Sequence, residues 1–214
     1  GNPEILPDLN GDRITASAVY LASDPSNSRV GVEALAASKA EPTRVITEIK
    51  SHMRDECVYS VSESKWIDKA FNEKKEDEYS PSQLASKILE KLKGFGENID
   101  KAVITVPAMF ANQARDATLD AAKIAGLSGY QNDAVELINE PTAAIFHYAN
   151  LPGASVSGKV MVYDLGGGTF DVTIAEVKEK NVQVINSEGN PNLGGKDIDR
   201  DILEFISKKY NEQL

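Results

Sequence analysis

The feature that most constrains the fold is a regular alternation of helix and strand patterns between residues 80 and 150. The first helix is predicted to begin at Ser80, a favourable N-cap, with Pro81 at its first position. Its apolar residues recur every four positions, at Leu84, Ile88 and Leu92. Strand, helix, strand and helix patterns then follow at residues 102–107, 112–124, 135–139 and 140–150. This order predicts an α/β fold with helices on a parallel sheet, and residues 102–107 are typical of a strand buried on both faces.

Strand patterns dominate on either side of this block. Residues 14–21 and 29–32 are rich in β-formers and flank a turn, and a helical pattern begins at Val32. The charge run at residues 72–78 is typical of a solvated loop or helix edge. Three further strands are predicted at residues 159–163, 169–177 and 182–186, and a helix at residues 197–210. The short connections between these three strands indicate an antiparallel meander.

Composition excludes several classes of protein. The 214 residues include 33 acidic and 23 basic side chains, a net charge of −10, which argues against a general nucleic-acid binder. Apolar residues at 41% and charged residues at 26% are ordinary globular usage and argue against disorder or a coiled coil. No apolar run approaches the roughly 18 residues of a membrane span. The single cysteine, Cys57, excludes an internal disulfide framework and fits the cytoplasm or another reducing compartment.

The strongest chemical signal is the segment VYDLGGGTFDV at residues 162–172. Its turn consists of three consecutive glycines, Gly166, Gly167 and Gly168. Backbone amides without Cβ atoms can approach a phosphate closely, and the carboxylates of Asp164 and Asp171 suit Mg²⁺ held largely through water. A glycine-rich hairpin turn is the simpler interpretation, but the flanking Asp164, Thr169 and Asp171 favour a metal–phosphate site. The spacing matches neither a dinucleotide fingerprint nor a Walker loop.

This segment resembles the second phosphate-binding signature of the 70-kilodalton heat-shock chaperones, members of the actin-like ATPase superfamily. Four other segments resemble the same family in the same order: NGDRIT at 10–15, AVITVPAMF at 102–110, LINEPTAA at 137–144 and LGGKDID at 193–199. The similarity runs from about Pro3 to the last residue. Sugar kinases and actin-type filament proteins share the superfamily, but the block that begins at Asn139 favours the chaperones.

The resemblance implies an actin-like, ribonuclease H-like fold, with most of lobe I and the beginning of lobe II. We expect lobe I at residues 1–152 and the start of lobe II at residues 153–214. Within lobe I, we expect a core subdomain at residues 1–17 and 80–152 and a peripheral subdomain at residues 18–79.

The resemblance also implies roles for individual residues. Glu140 matches a glutamate thought to help hold hydrated Mg²⁺, although a carboxylate at the first turn of a helix is equally explained by the helix dipole. Lys50 matches a lysine beside the γ-phosphate, where its charge would stabilise the transferred group. The simpler interpretation is an exposed lysine on the surface of a helix. Asp164 and Asp171 match two carboxylates near the metal and the attacking water. Thr169 matches a threonine close to the γ-phosphate.

Four further residues match the family outside this catalytic set. Gly194 and Gly195 match a backbone turn of lobe II near the nucleotide. Pro107 and Arg115 match a relay between the nucleotide site and a partner-facing surface. A strand terminator at Pro107 and a helix-face ion pair at Arg115 are the simpler alternatives.

The remaining conspicuous side chains have no predicted chemical role. His52 and His147 are far apart in sequence without metal spacing, which favours surface or packing roles. Cys57 lacks a nearby His or Asp pattern for a nucleophile, so a buried, inert thiol is expected. Trp66 is expected to be a packing residue.

The family's activity is hydrolysis of ATP to ADP and phosphate with Mg²⁺, and its nucleotide state controls peptide binding in another domain during protein folding and the stress response. The partners implied are unfolded peptide clients, a J-domain co-chaperone and a nucleotide exchange factor, with neither nucleic acid nor membrane. The family's first phosphate hairpin would precede Pro3 and its adenosine-binding part would follow Leu214. We therefore expect this chain alone to bind ATP weakly or not at all.

A second hypothesis from a different class is a non-catalytic fragment or interaction module that cannot bind nucleotide alone. The expected lack of the first strands would also leave a sheet edge unpaired, which favours self-association of the chain.

Overall fold

The fold is a mixture of helices and several small sheets. The computed structural model describes residues 4–8, 10–68, 75–96, 99, 101–127, 135–153, 156–179 and 181–210. The chain forms two compact units. The first unit comprises Gly1–Ile104 and Ala111–Glu136, and the second comprises Thr105–Phe110 and Leu137–Leu214. The lobe boundary at residue 152 stays a prediction. Within the described residues, no helix combines the length and apolarity that crossing a membrane requires.

The first unit begins with a small antiparallel sheet. Its central strand β1 (Val19–Tyr20) pairs with β2 (Arg29–Val30) on one side and with β3 (Val45–Ile46) on the other. Helix α1 (Val32–Ala37) begins where the helical pattern predicted it. Within the β-rich run at residues 14–21, only Val19–Tyr20 forms a strand, and Ile14 is 84% exposed.

A second three-stranded sheet has β4 (Cys57–Ser60) at its centre, between β5 (Lys65–Asp68) and β6 (Glu78–Tyr79). The charge run was predicted to be a solvated loop, and residues 72–74 of it lie outside the described residues. For Glu78 the prediction is wrong, because this residue is buried in β6. Its Oε2 atom accepts a hydrogen bond of 3.2 Å from the backbone amide of Lys75, which compensates the burial of the carboxylate.

Two helices of equal length form the other layer of the first unit. Helix α2 (Pro81–Lys93) begins with the predicted N-cap, and Ser80 and Gln83 form a reciprocal capping box. Helix α3 (Asn112–Ile124) packs against α2 and ends before Gly126, whose φ of 69° favours glycine. A cluster centred on Ala122, Ala125 and Leu127 packs these helices onto the strands β7 (Ala102–Val106) and β8 (Val135–Asn139).

Strands β7 and β8 pair with each other as a two-stranded sheet. The prediction that residues 102–107 are buried on both faces is wrong. Burial alternates along β7, where Val106 is buried and Val103 is 59% exposed. Ala102 and Ile104 pack on the helical cluster, so the described helices of the first unit cover the face that these two residues share.

The second unit contains the predicted antiparallel meander. Helix α4 (Glu140–Ala149) precedes three strands, β9 (Gly158–Leu165), β10 (Phe170–Lys178) and β11 (Asn181–Asn190), and helix α5 (Gly195–Tyr210) follows them. The sheet order is β11-β10-β9, with antiparallel pairing throughout, which confirms the prediction.

The core of the second unit lies on one face of strand β10. Alternate β10 residues are buried, and Ala175 and Val177 pack against Ile145 of α4. Because side chains alternate between faces with a period of two, Asp171 lies on the same buried face as these apolar residues. The strand pattern alone therefore places one carboxylate at the edge of an apolar core.

Candidate functional site

The glycine-rich segment forms a four-residue loop, residues 166–169, between β9 and β10. Leu165 and Phe170 are the last paired residues of the two strands, and the loop is closed by a hydrogen bond of 2.9 Å from the Gly166 amide to the Thr169 carbonyl oxygen. Among the described residues, the backbone amides of Gly167 and Gly168 donate to no protein acceptor. Such amides in a tight loop are suitable donors for an anion.

This loop is fixed against the start of helix α5. The backbone amides of Gly195 and Lys196 donate hydrogen bonds of 2.9 and 3.0 Å to the carbonyl oxygens of Gly166 and Gly167. A Cβ atom on Gly194 would lie 2.4 Å from the Gly168 nitrogen and 2.5 Å from the Gly167 carbonyl carbon. Since both contacts are with backbone, glycine is required at position 194 for the two segments to approach this closely.

Asp197 is a structural residue of this junction that the sequence reasoning missed. Its carboxylate is buried, and Oδ2 accepts a hydrogen bond of 2.9 Å from the Gly194 amide while Oδ1 lies 3.0 Å from Nη2 of Arg200. Asp197 is the third residue of α5 and bonds back to the residue before the helix, as the acidic member of a capping box does. An acidic residue three positions after Gly194 was the signal that could have identified it.

The two carboxylates predicted near the metal face each other at the base of the loop. Asp164 in β9 and Asp171 in β10 are directly opposite partners in the antiparallel register. Opposite residues share one face of a sheet, with Cβ atoms about 4.5–5.5 Å apart. Asp171 is only 5% exposed, whereas Asp164 is partly exposed. The sheet therefore brings two potential hard oxygen ligands together without any long-range packing.

Gly189 is a second residue that the sequence reasoning missed. It is the partner of Asp171 on the opposite neighbouring strand, β11. A Cβ atom here would lie 2.2 Å from the Phe170 carbonyl oxygen and 2.8 Å from Oδ1 of Asp171. The absent side chain leaves space for the Asp171 carboxylate. The signal was an isolated glycine within a strand pattern, which marks a close approach of the backbone.

The other predicted site residues are divided between the two units. Glu140, the first residue of α4, and Pro107 belong to the same unit as the glycine loop and the paired carboxylates. Lys50 and Arg115 belong to the other unit, where Lys50 is exposed in the short 3-10 helix Ile49–His52 and Arg115 lies in α3. The roles assigned to Glu140, Pro107, Lys50 and Arg115 stay predictions.

The residues of the second unit suit a magnesium-bound polyphosphate. The backbone cradle between residues 166–168 and Gly194 has no space for a Cβ atom, and its loop amides are potential phosphate donors. The paired carboxylates of Asp164 and Asp171 offer only oxygen ligands, which Mg²⁺ prefers. The potential phosphate donors thus lie in the four-residue loop, and the potential metal ligands lie in the two strands at its base.

The environment of Cys57 differs from the sequence expectation. The thiol is buried as predicted, but ligand atoms of His52 and Asp55 lie within 4.8 Å of each other and of its sulfur atom. Burial, together with the negative charges of Asp55 and Asp68, raises the pKa of the Cys57 thiol from its ordinary value near 9 to about 11. His52 stacks on Trp66, with ring centroids 4.1 Å apart.

The raised pKa predicts slow alkylation of Cys57. Two pKa units correspond to about 100-fold less thiolate at neutral pH than an ordinary thiol has, and thiolate is the reactive form. We expect iodoacetamide, with a chelator present, to label the folded chain at least about 100-fold more slowly than the urea-unfolded chain. Labelling should accelerate as the pH rises towards 11. Equal rates in the folded and unfolded chains would contradict this account of the thiol.

The comparison with known protein families agrees with this geometry. A family model described as "Hsp70 protein" matches residues 1–214, the whole of the chain. The match includes both compact units, the glycine loop and the turn before α5. The chain belongs to the Hsp70 protein family.

Proposed function

We propose that this chain forms part of the ATP-binding and ATP-hydrolysing domain of a protein-folding chaperone. In this proposal the fold is actin-like, and the nucleotide state controls peptide binding in a domain outside these 214 residues. Membership of the Hsp70 family and the mixed α/β architecture support it. A J-domain co-chaperone and a nucleotide exchange factor would be its partners.

The observation that carries the proposal is the close backbone approach at Gly194. A structural hairpin turn has no need of a second segment packed so tightly that a Cβ atom would lie 2.4 Å from its backbone. The approach fixes the loop through the hydrogen bonds from Gly195 and Lys196. A fixed loop with amide donors is preorganised for a phosphate group, because no reorganisation is needed when the charge arrives.

In the proposed mechanism, the amides of Gly167 and Gly168 and the hydroxyl of Thr169 hold the terminal phosphates of ATP. Asp164 and Asp171, with Glu140, would hold Mg²⁺, largely through water. When bound, Mg²⁺ neutralises phosphate charge and aligns the phosphate oxygens. Catalysis by these residues is mainly positioning and electrostatic stabilisation of an in-line attack by water.

Three residues extend this mechanism beyond the second unit's loop. Lys50 would stabilise the charge that develops on the transferred phosphoryl group. Pro107 and Arg115 would relay the nucleotide state to a partner-facing surface. Closure of the two lobes around nucleotide is the conformational change that would carry the signal to the peptide-binding domain.

The test is the substitution Asp171→Asn in the protein with its flanking segments. Asparagine keeps the shape of this buried side chain but removes its charge. We expect ATP turnover to fall by about 100-fold or more, the size of effect seen when a preorganised electrostatic group is removed. The measurement is single-turnover hydrolysis, with ATP affinity determined separately.

The matched control is Asp199→Asn, an exposed aspartate on α5 outside the proposed site, which should retain full turnover. Full turnover by Asp171→Asn would contradict the assigned role. An unsubstituted protein that binds and hydrolyses no ATP would favour the non-catalytic interaction module.

A further inference from the structure

A second group of chemically capable side chains lies in the first unit. His52 is the last residue of the 3-10 helix Ile49–His52, Asp55 lies in the turn that follows, and Cys57 is the first residue of β4. The ligand atoms of these three residues all lie within 4.8 Å of one another. A sulfur, a nitrogen and an oxygen donor therefore meet within a six-residue segment, although the sequence spacing matches no metal motif.

Local interactions hold the group in place. The Asp55 amide donates a hydrogen bond of 3.0 Å to the His52 carbonyl oxygen, which closes the turn between two of the donors. Nδ1 of His52 lies 3.4 Å from Oδ2 of Asp55. The imidazole stacks on Trp66 at an interplanar angle of 21°. Tyr59 in turn packs edge-on against Trp66. Aromatic packing thus fixes the orientation of the histidine ring, as a ligand ring requires.

The identity of the donors selects the class of metal. Thiolate, imidazole and carboxylate together suit Zn²⁺, whereas Mg²⁺ and Ca²⁺ prefer sites with oxygen ligands only. With Zn–S of about 2.3 Å and Zn–N of about 2.0 Å, ligand atoms in a tetrahedral site lie roughly 3.5 Å apart. The donor atoms here all lie within 4.8 Å of one another, so binding requires them to approach by at most about 1.3 Å.

The surroundings give an ion access to the three donors. They also leave a fourth coordination position open. A cavity of about 460 Å³ borders Asp55 and Cys57 and is also lined by Met53 and Glu56. Such an opening provides a path to the donors and space for a water ligand. The side chain of Asp55 is 44% exposed, so one donor already contacts solvent.

We propose that His52, Asp55 and Cys57 form a zinc-binding site with water as the fourth ligand. Binding exchanges the Cys57 thiol proton, which passes to solvent, for a sulfur–zinc bond, with no change of oxidation state. The bound ion ties the end of the 3-10 helix Ile49–His52 to β4. It therefore stabilises the segment that contains Lys50.

The experiment is a titration of the reduced chain with Co²⁺, a spectroscopic substitute for Zn²⁺. We expect one ion per chain, a thiolate-to-cobalt charge-transfer band and the intense visible bands of tetrahedral cobalt. Trp66 is the only tryptophan of the chain and stacks on His52, so cobalt should also quench its fluorescence. Added Zn²⁺ should displace the cobalt, remove the visible bands and raise the thermal midpoint.

Three substitutions test the ligands individually. Cys57→Ala should abolish the charge-transfer band, and His52→Gln and Asp55→Asn should each weaken binding by about tenfold or more. Asp55→Asn changes a partly exposed side chain, so it keeps the test valid if the substitution of buried Cys57 disturbs folding. The matched control is His147→Gln, the other histidine of the chain, which should leave binding unchanged.

The outcomes separate this proposal from a purely structural cluster. The absence of a charge-transfer band at stoichiometric cobalt, or equal binding by the Cys57→Ala and unsubstituted chains, would overturn it. Loss of binding in His147→Gln would also overturn it, because the ion would then lie elsewhere. None of these measurements depends on ATP, so they are independent of the proposed ATPase function.

Discussion

Replacing Gly194 by alanine is expected to lower the free energy of unfolding by about 2–3 kcal/mol, the upper part of the range for overpacking. The new methyl group would meet the backbone of Gly167 and Gly168 at 2.4–2.5 Å, and no side-chain rotation can relieve a clash with backbone. The loop must therefore move away from α5. Urea unfolding followed by circular dichroism measures the loss.

Hydrogen exchange localises the same effect. The amides of Gly195 and Lys196 donate to the loop carbonyl oxygens, so their protection should fall in Gly194→Ala while protection within β10 changes little. The matched control is Gly195→Ala, whose added Cβ atom would have its nearest neighbours at 3.9 Å, an ordinary contact. We expect Gly195→Ala to be close to neutral. Equal stability of the two variants would contradict the close approach at Gly194.

Gly189→Ala is the second substitution expected to have a large effect. Its Cβ atom would lie 2.2 Å from the Phe170 carbonyl oxygen, so strands β10 and β11 must separate locally. It would also lie 2.8 Å from Oδ1 of Asp171 and displace that carboxylate. We expect a loss of about 3 kcal/mol in the free energy of unfolding, measured by urea denaturation. In the protein with its flanking segments, the displacement of Asp171 should also reduce ATP turnover.

The control for this variant is Gly167→Ala, because no atom lies within 4 Å of a Cβ at that position. This substitution should change the free energy of unfolding by less than about 0.5 kcal/mol, as an ordinary surface substitution does. A Gly189→Ala variant as stable as Gly167→Ala would show that the strand pair does not approach as closely as described.

Local patterns predicted most of the regular elements. Helix α2 follows from Ser80, Pro81 and a four-residue apolar period, and the structure confirms its start at Pro81 with Ser80 as the N-cap. The meander of β9, β10 and β11 follows from three β-rich runs joined by short turns. These features depend on interactions between residues close in sequence, and such interactions are visible in the sequence itself.

The errors concern pairing and burial, which depend on distant residues. The β-rich run at residues 14–21 becomes a strand only at Val19–Tyr20, where β2 and β3 supply partners. Val103 is apolar but exposed, and Glu78 is charged but buried. A side chain's type does not determine its burial, because burial is decided by which other elements pack against each face.

The candidate site likewise combines features that a local pattern predicts with features that depend on residues distant in sequence. The glycine loop and its flanking aspartates are contiguous in sequence, so their chemistry could be predicted directly. The need for glycine at positions 189 and 194 depends on backbone atoms of β10 and the loop, 18 to 27 residues away in sequence. The group of His52, Asp55 and Cys57 was missed because its spacing follows the geometry of one turn and matches no metal motif.

We propose that the loop at residues 166–169 and its two aspartates hold a magnesium-bound polyphosphate. The most direct test is a crystal structure of the protein with its flanking segments, bound to Mg²⁺ and a non-hydrolysable ATP analogue. We predict phosphate oxygens about 3 Å from the amides of Gly167 and Gly168, and metal-bound waters on Asp164 and Asp171. A polyphosphate bound elsewhere, with only solvent at the amides of Gly167 and Gly168, would contradict the account.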